Sequence, residues 1–243
     1  MVANLRLYVG EQLQKGSSVN GNPKWSLLHC VVEATIARAY DSRKKGSEED
    51  SDSRSVGSEE GFYSWDYDPP DLSGMAYLLL THGADKKATF HGMTPFQMLF
   101  MKCWEGFWAY ERPDIKENMI KVAEAFLSHG QNPNVDISVP YPNVGISVPQ
   151  DLHGNARPQP LVCKPLHVVS ASMIKTLLKY GAEVNALDSH CRTPLDVWLG
   201  AEGNMFKLGT PETLSEAYET AMLLILNGGR VTKSGKDRLP GSP

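Results

Sequence analysis

Seven histidines and four cysteines are the residues of this sequence most able to do chemistry, and their spacing gives that chemistry little to use. His190-Cys191 is the one adjacent pair of soft ligands. Tetrahedral zinc needs two more ligands at a matching spacing, and no Cys-x-x-Cys or His-x-x-x-His partner accompanies the pair. Position 191 is therefore expected to be a turn residue and not a metal ligand. Cys30, Cys103, Cys163 and Cys191 stand far apart, each inside or beside an apolar stretch, so buried reduced thiols are expected. The tail Gly229-Arg-Val-Thr-Lys-Ser-Gly235-Lys236-Asp237 has the outline of a phosphate-binding loop. It places five residues between its glycines where four are needed, and aspartate after the lysine where Ser or Thr is needed. No Gly-x-Ser-x-Gly elbow appears, and no Ser, His and Asp residues assemble into a triad. No enzyme activity, catalytic residue, cofactor or metal is expected.

The histidines make sense only beside the elements that would carry them. The clearest element runs from Met173 through Leu178 to Gly181-Ala-Glu-Val-Asn185, followed by a polar turn and Thr193-Pro-Leu-Asp196. Ile174, Leu177 and Leu178 fall on one helical face, and Gly181 stands where a helix end needs a left-handed residue. Thr193 can accept from the unpaired N–H groups of a new helix, whose first position suits Pro194. The block recurs as Tyr77 to Gly83-Ala-Asp85 with Thr94-Pro-Phe-Gln97. It recurs again as Ala125 to Gly130-Gln-Asn-Pro-Asn134, with its restart displaced to Lys164-Pro-Leu-His167. Weaker copies are Leu13 to Gly16 through Asn20 with Ser26-Leu-Leu-His29, and Leu223 to Gly228 through Thr232. His29 and His167 share the fourth position of the restart, His82 and His129 precede stop glycines, and His91 and His190 fall in turns.

These motifs resemble the ankyrin family, whose repeats of about 33 residues carry a Thr-Pro-Leu-His signature, two antiparallel helices and a projecting turn. The resemblance implies an all-α fold: an α-solenoid of stacked helix-turn-helix repeats, here with long irregular insertions. One array would occupy 1–243 as four to five repeats, the first and last incomplete. It further implies that His29 and His167 are structural, each bonding across a repeat interface. The stop glycines at 16, 83, 130, 181 and 228 are separated by 67, 47, 51 and 47 residues, so extra chain must lie between elements.

Three insertions are read. Residues 41–71 open with an acidic, Ser-rich run too poor in apolar side chains to be ordered, placed between the two helices of one repeat. An aromatic stretch, Phe62 to Pro70, follows. Residues 132–160 are proline-rich and repeat a phrase, Ile137-Ser-Val-Pro140 and Ile146-Ser-Val-Pro149, which points to an irregular insertion, an extended, PPII-like or hairpin loop, with the Val-x-Ile-x-Val alternation only a weak signal for short strands. Residues 200–209 form the third. Asp114 and Thr213 are read as caps of two further helices, and Leu5 to Leu13 as a second helix lacking its Thr-Pro start.

The 24 basic and 28 acidic side chains give a net charge of −4 with no aromatic-laced basic stripe, which argues against nucleic acid as a partner. No stretch reaches the roughly 18 apolar residues of a membrane span, and the start lacks a secretory pattern, so an intracellular location, cytoplasmic or nuclear, is expected. The resemblance implies a protein partner held by turn tips and the concave helix face. In one turn these are Lys86, Lys87, Phe90, His91 and Met93; in another they are Leu187, Asp188, His190 and Arg192, with Ser189 between them. Trp104, Trp108 and Tyr110 form an aromatic surplus near the first-helix face, a candidate hot spot. Insertion-rich arrays of this kind also resemble the C-terminal parts of large fungal proteins. The alternative function is thus a regulatory or targeting segment of a larger multidomain enzyme such as an NTPase.

Overall fold

The computed structural model describes residues 10, 14, 20, 26–35, 72–104, 113–139, 160–199 and 211–232, and structural statements below concern these residues. They are mostly helical. α1 covers 27–35. After it come α2 (Leu72–Thr81), α3 (Pro95–Trp104), α4 (Pro113–Ser128), α5 (Ala171–Lys179), α6 (Pro194–Leu199) and α7 (Pro211–Leu226). A 3-10 turn, Pro165–His167, precedes α5, and two short strands, β1 (Ile137–Val139) and β2 (Leu161–Cys163), lie between α4 and that turn.

Two kinds of helical element alternate. The first kind starts on a polar residue: Ser26 before α1, Thr94 before α3, Lys164 before the 3-10 turn and Thr193 before α6. Thr94 and Gln97 form a reciprocal cap, in which Gln97 N–H donates to Thr94 Oγ1 at 3.3 Å and Thr94 N–H donates to Gln97 Oε1 at 2.8 Å. Thr193 and Asp196 repeat it at 3.2 and 2.9 Å. The second kind, α2, α4, α5 and α7, ends on a glycine. Gly83, Gly130, Gly181 and Gly228 have φ of 81°, 75°, 85° and 85°, a left-handed conformation that a side chain would strain. In each case the glycine N–H donates three residues back, and the next N–H donates five residues back, as in Ala182 to Leu177 at 3.0 Å. This double closure satisfies carbonyls that a bare helix end would leave unpaired.

The glycine-ended helices stand in a row, α2 against α4, α4 against α5 and α5 against α7. Beside them α3 packs on α4, α6 on α7, and the 3-10 turn touches both α5 and α6. A single core runs through this arrangement, from Leu28 and Val32 through Phe96, Phe126, Ile174 and Leu177 to Leu224. Phe96 meets Phe100 of its own helix at 4.8 Å and links α3 to α4 through a ring contact with Phe126 at 5.7 Å. Each such side chain contributes about 1.5–3 kcal/mol on burial, so the row is held mainly by apolar packing between neighbours.

Three expectations need correction. α4 and α7 begin at Pro113 and Pro211, ahead of Asp114 and Thr213, because proline has the φ of a first helical residue and lacks the N–H that would be unpaired there. The proline-rich insertion is not wholly irregular: β1 and β2 pair antiparallel, Ile137 with Cys163, Ser138 with Val162 and Val139 with Leu161. Of the cysteines, Cys163 is buried but Cys30 and Cys191 are exposed, since one faces outward on α1 and the other sits in a turn. The acidic run 41–60, the aromatic stretch 62–70, and the breaks at 105–112 and 200–210 fall outside the described residues. So do Gly16 and, apart from Gly10, the Leu5–Leu13 helix.

Candidate interaction surface

Between each glycine stop and the next polar start the chain projects as a finger. In the first finger Phe90 N–H donates to Met93 O at 2.8 Å and Met93 N–H returns to Phe90 O at 3.0 Å. The two residues between them, His91 and Gly92, have φ of 50° and 76°, so the turn is the two-residue hairpin type with both central residues left-handed. The second finger is the β1–β2 ribbon. In the third, Asp188 N–H donates to Arg192 O at 2.9 Å and Cys191 N–H to Asp188 O at 3.0 Å, with Cys191 left-handed at φ 56°. Ser189 joins the last two fingers: its N–H donates to Val162 O at 2.8 Å, and its Oγ accepts from Val162 N–H at 3.2 Å.

Two sets of side chains fix the fingers to the helices. The first set is the fourth residue of each start: His29, Gln97, His167 and Asp196. His29 Nε2 donates to Met93 O at 3.1 Å, and His167 Nε2 donates to Arg192 O at 3.1 Å. Gln97 Nε2 donates to Asp136 O at 2.7 Å, while Asp196 Oδ1 accepts from Thr232 N–H at 3.0 Å. Each residue therefore bonds within its own start and to the backbone beyond the next stop glycine, which for the first three is a finger. The second set is an asparagine four residues after a stop glycine. Asn134 bonds Gly181 O at 3.1 Å and Glu183 N–H at 2.8 Å. Asn185 repeats this with Gly228 O at 3.0 Å and Arg230 N–H at 2.7 Å, and Asn20 accepts from Asp85 N–H at 2.8 Å. The equivalent residue after Gly83 is Lys87, and there Lys86 Nζ donates to His129 O instead.

The sequence-chosen residues divide accordingly. His91, Leu187 and His190 are exposed on finger tips, and Lys87 is exposed at the base of the first finger, in the turn after Gly83. Leu187 keeps 53% of its surface, less than Leu226 at 74%. Phe90 is half-buried, with its ring 5.9 Å from His29 and 4.1 Å from His91, and Met93 is half-buried beneath it. Lys86 is half-buried and ties two helix ends together. Asp188 is buried, and its carboxylate accepts from His190 N–H, Arg192 N–H and Arg192 Nε at 2.8, 2.9 and 2.8 Å. Asp188 and Arg192 thus build the third tip from inside and leave Leu187 and His190 to face outward. Trp104 closes α3, but its side chain, like the whole of Trp108 and Tyr110, lies outside the described residues.

The asparagines were not singled out from sequence as bridging residues. Their constant distance from the stop glycines was the signal. Burial separates the chemical groups that remain. It pushes the Cys163 thiol up to about 12, with Asp188 nearby adding to the effect, which makes the thiol inert. Burial also lowers the pKa of His167, against the opposing pull of its bond to Arg192 O and of Asp188. Among the described residues no three His, Cys, Asp or Glu side chains group as metal ligands, and no helix is long and apolar enough to cross a membrane. No family model and no curated protein matches the chain.

Proposed function

We propose that this chain is an array of ankyrin-type repeats that binds a partner protein along its fingers and first-helix faces. The observation that carries this reading is the recurrence of one bonding scheme at four places. The fourth residue of each start, His29, Gln97, His167 or Asp196, bonds the backbone that follows the next stop glycine, and that glycine is left-handed in every case. Repetition of that kind supports an extended, regularly indented surface with little material for a catalytic cleft. The fingers are held from within by Asp188, Arg192, Lys86 and Met93, so their outward residues are presented on rigid supports, which lowers the ordering cost of binding. Lys87, His91, Leu187 and His190 are the contact residues of this reading.

The test is capture of a partner by the full chain, compared with Lys87→Glu, His91→Ala and Leu187→Asp variants and with a control variant at an exposed residue of α7, Tyr218→Ala. The reading requires the same partner to be lost by the finger variants and kept by Tyr218→Ala, with all variants melting as the parent does. A partner that survives all three finger changes would refute it.

A further inference from the structure

β1 belongs to a phrase that the chain contains twice. Residues 133–140 read Pro-Asn-Val-Asp-Ile-Ser-Val-Pro, and residues 142–149 read Pro-Asn-Val-Gly-Ile-Ser-Val-Pro, nine positions later and different only at Asp136 against Gly145. The first copy fills a defined slot. Pro133, Ile137 and Val139 are buried, Val135 packs against the core, and Asn134 bridges to Gly181 and Glu183. Ile137 and Val139 pair with Cys163 and Leu161, and Gln97 reaches the backbone oxygen of Asp136.

We propose that the two octapeptides are interchangeable occupants of this slot, so that the chain exchanges between a ribbon made by Ile137–Val139 and one made by Ile146–Val148. Every contact just described is made by a residue type present in both copies, or by the backbone. Asp136 alone adds something the second copy lacks: its carboxylate meets Lys164 Nζ at 2.7 Å. An exposed pair of that kind is a small bias, and glycine at 145 adds the entropy of a freer backbone. Both favour the first copy without excluding the second. A nine-residue shift moves an odd number of positions, yet the inward and outward side chains are preserved because the whole phrase is duplicated. A slip within a single strand by an odd number would instead turn its apolar face to water. The exchange transfers chain from one side of the strand to the other. The connection to β2 shortens from residues 140–160 to residues 149–160, and the connection from Gly130 lengthens by nine. Closure cost changes only slowly with loop length, so the two arrangements stay close in free energy while the second finger changes its reach. The inference stands apart from the binding role.

A mutant cycle on the full chain, read by thermal unfolding, tests it. Ile137→Asp places a charge in the slot and should be relieved by exchange, lowering the midpoint by about 5 °C. Ile146→Asp alone should leave the midpoint unchanged. The double variant has no apolar copy left and should lose far more than the two single shifts combined. An Ile137→Asp variant as unstable as the double, or one that fails to fold, overturns the proposal. A double variant no worse than Ile137→Asp overturns it equally. Deletion of residues 133–141, which joins Asn132 to Pro142, gives an independent readout. It should retain a cooperative transition, and loss of that transition shows that the slot does not accept the second copy.

Discussion

His167 Nε2 lies 3.1 Å from the carbonyl oxygen of Arg192, and Nδ1 lies 3.2 Å from that of Lys164, which already accepts His167 N–H at 3.0 Å. A proton on Nε2 therefore serves Arg192 O and leaves Nδ1 to accept from Lys164 N–H at 3.3 Å. The neutral imidazole satisfies both neighbours in a buried position, and burial holds the pKa of His167 below its ordinary value.

That direction fixes a pH dependence. The folded state binds a proton at His167 less readily than the unfolded chain does, so acid favours unfolding. The contribution is complete above the unfolded pKa of about 6.5 and is lost as pH falls from there toward the lowered folded pKa. Chemical denaturation midpoints are expected to drop over that range. His167→Gln, which can make the bonds that Gln97 makes in its own unit, should flatten the drop and cost little at neutral pH. His167→Ala should cost about 1–3 kcal/mol at pH 7, since it strands buried polar groups. An unchanged pH profile in His167→Gln would rule the histidine out as the source.

Cys191 and His91 are non-glycine residues in left-handed turn positions, at φ of 56° and 50°. Such a residue costs about 1–2 kcal/mol, part of which glycine returns through its freer unfolded chain. Cys191→Gly and His91→Gly are each expected to raise stability, by about 0.5–1 kcal/mol, in equilibrium unfolding. Gly181→Ala should act in the opposite sense, although nothing lies within 4 Å of the added methyl group, because its φ of 85° is the obstacle.

The asparagine bridges allow a subtraction and an addition. Asn185→Ala removes the bonds to Gly228 O and Arg230 N–H; about 1–2 kcal/mol should be lost, with faster amide exchange concentrated after Gly228. Lys87 occupies the same place relative to Gly83. Lys87→Asn should therefore restore a bridge to the Gly130 end and raise the melting midpoint by a few degrees.

Thiol reactivity should follow burial. Iodoacetamide at pH 8 is expected to label Cys30 and Cys191, which are exposed, and to spare Cys163 until the protein unfolds. Peptide mapping of the labelled chain gives the order directly.

Much of the helical plan was legible in the sequence because it depends on local chemistry. A glycine such as Gly181 after Ile174, Leu177 and Leu178, and a Thr193-Pro194 start, carry their structural meaning within a few residues. The ribbon was harder to read, because Ile137 and Cys163 are 26 positions apart and prolines crowd the chain between them. Asp188 was misleading for a related reason. A charged residue in a turn suggests an outward side chain, but here Arg192 and two backbone N–H groups gather around its carboxylate and draw it inside. Lys86 and Lys87 are indistinguishable by composition, and only the position of His129 O in space separates the tether from the exposed neighbour.

α4 and α7 reach past the shorter α5, and near their starts Lys116 Nζ meets both oxygens of Glu216 at 2.9 Å. Further along, Lys179 of α5 meets Glu124 of α4, and Lys175 of α5 meets Glu219 of α7. The smallest unit of the row is thus clasped by both neighbours, which also grip each other over it. Exposed pairs add only small increments to apolar packing, so the segment with the fewest turns of its own owes its place to having a neighbour on either side.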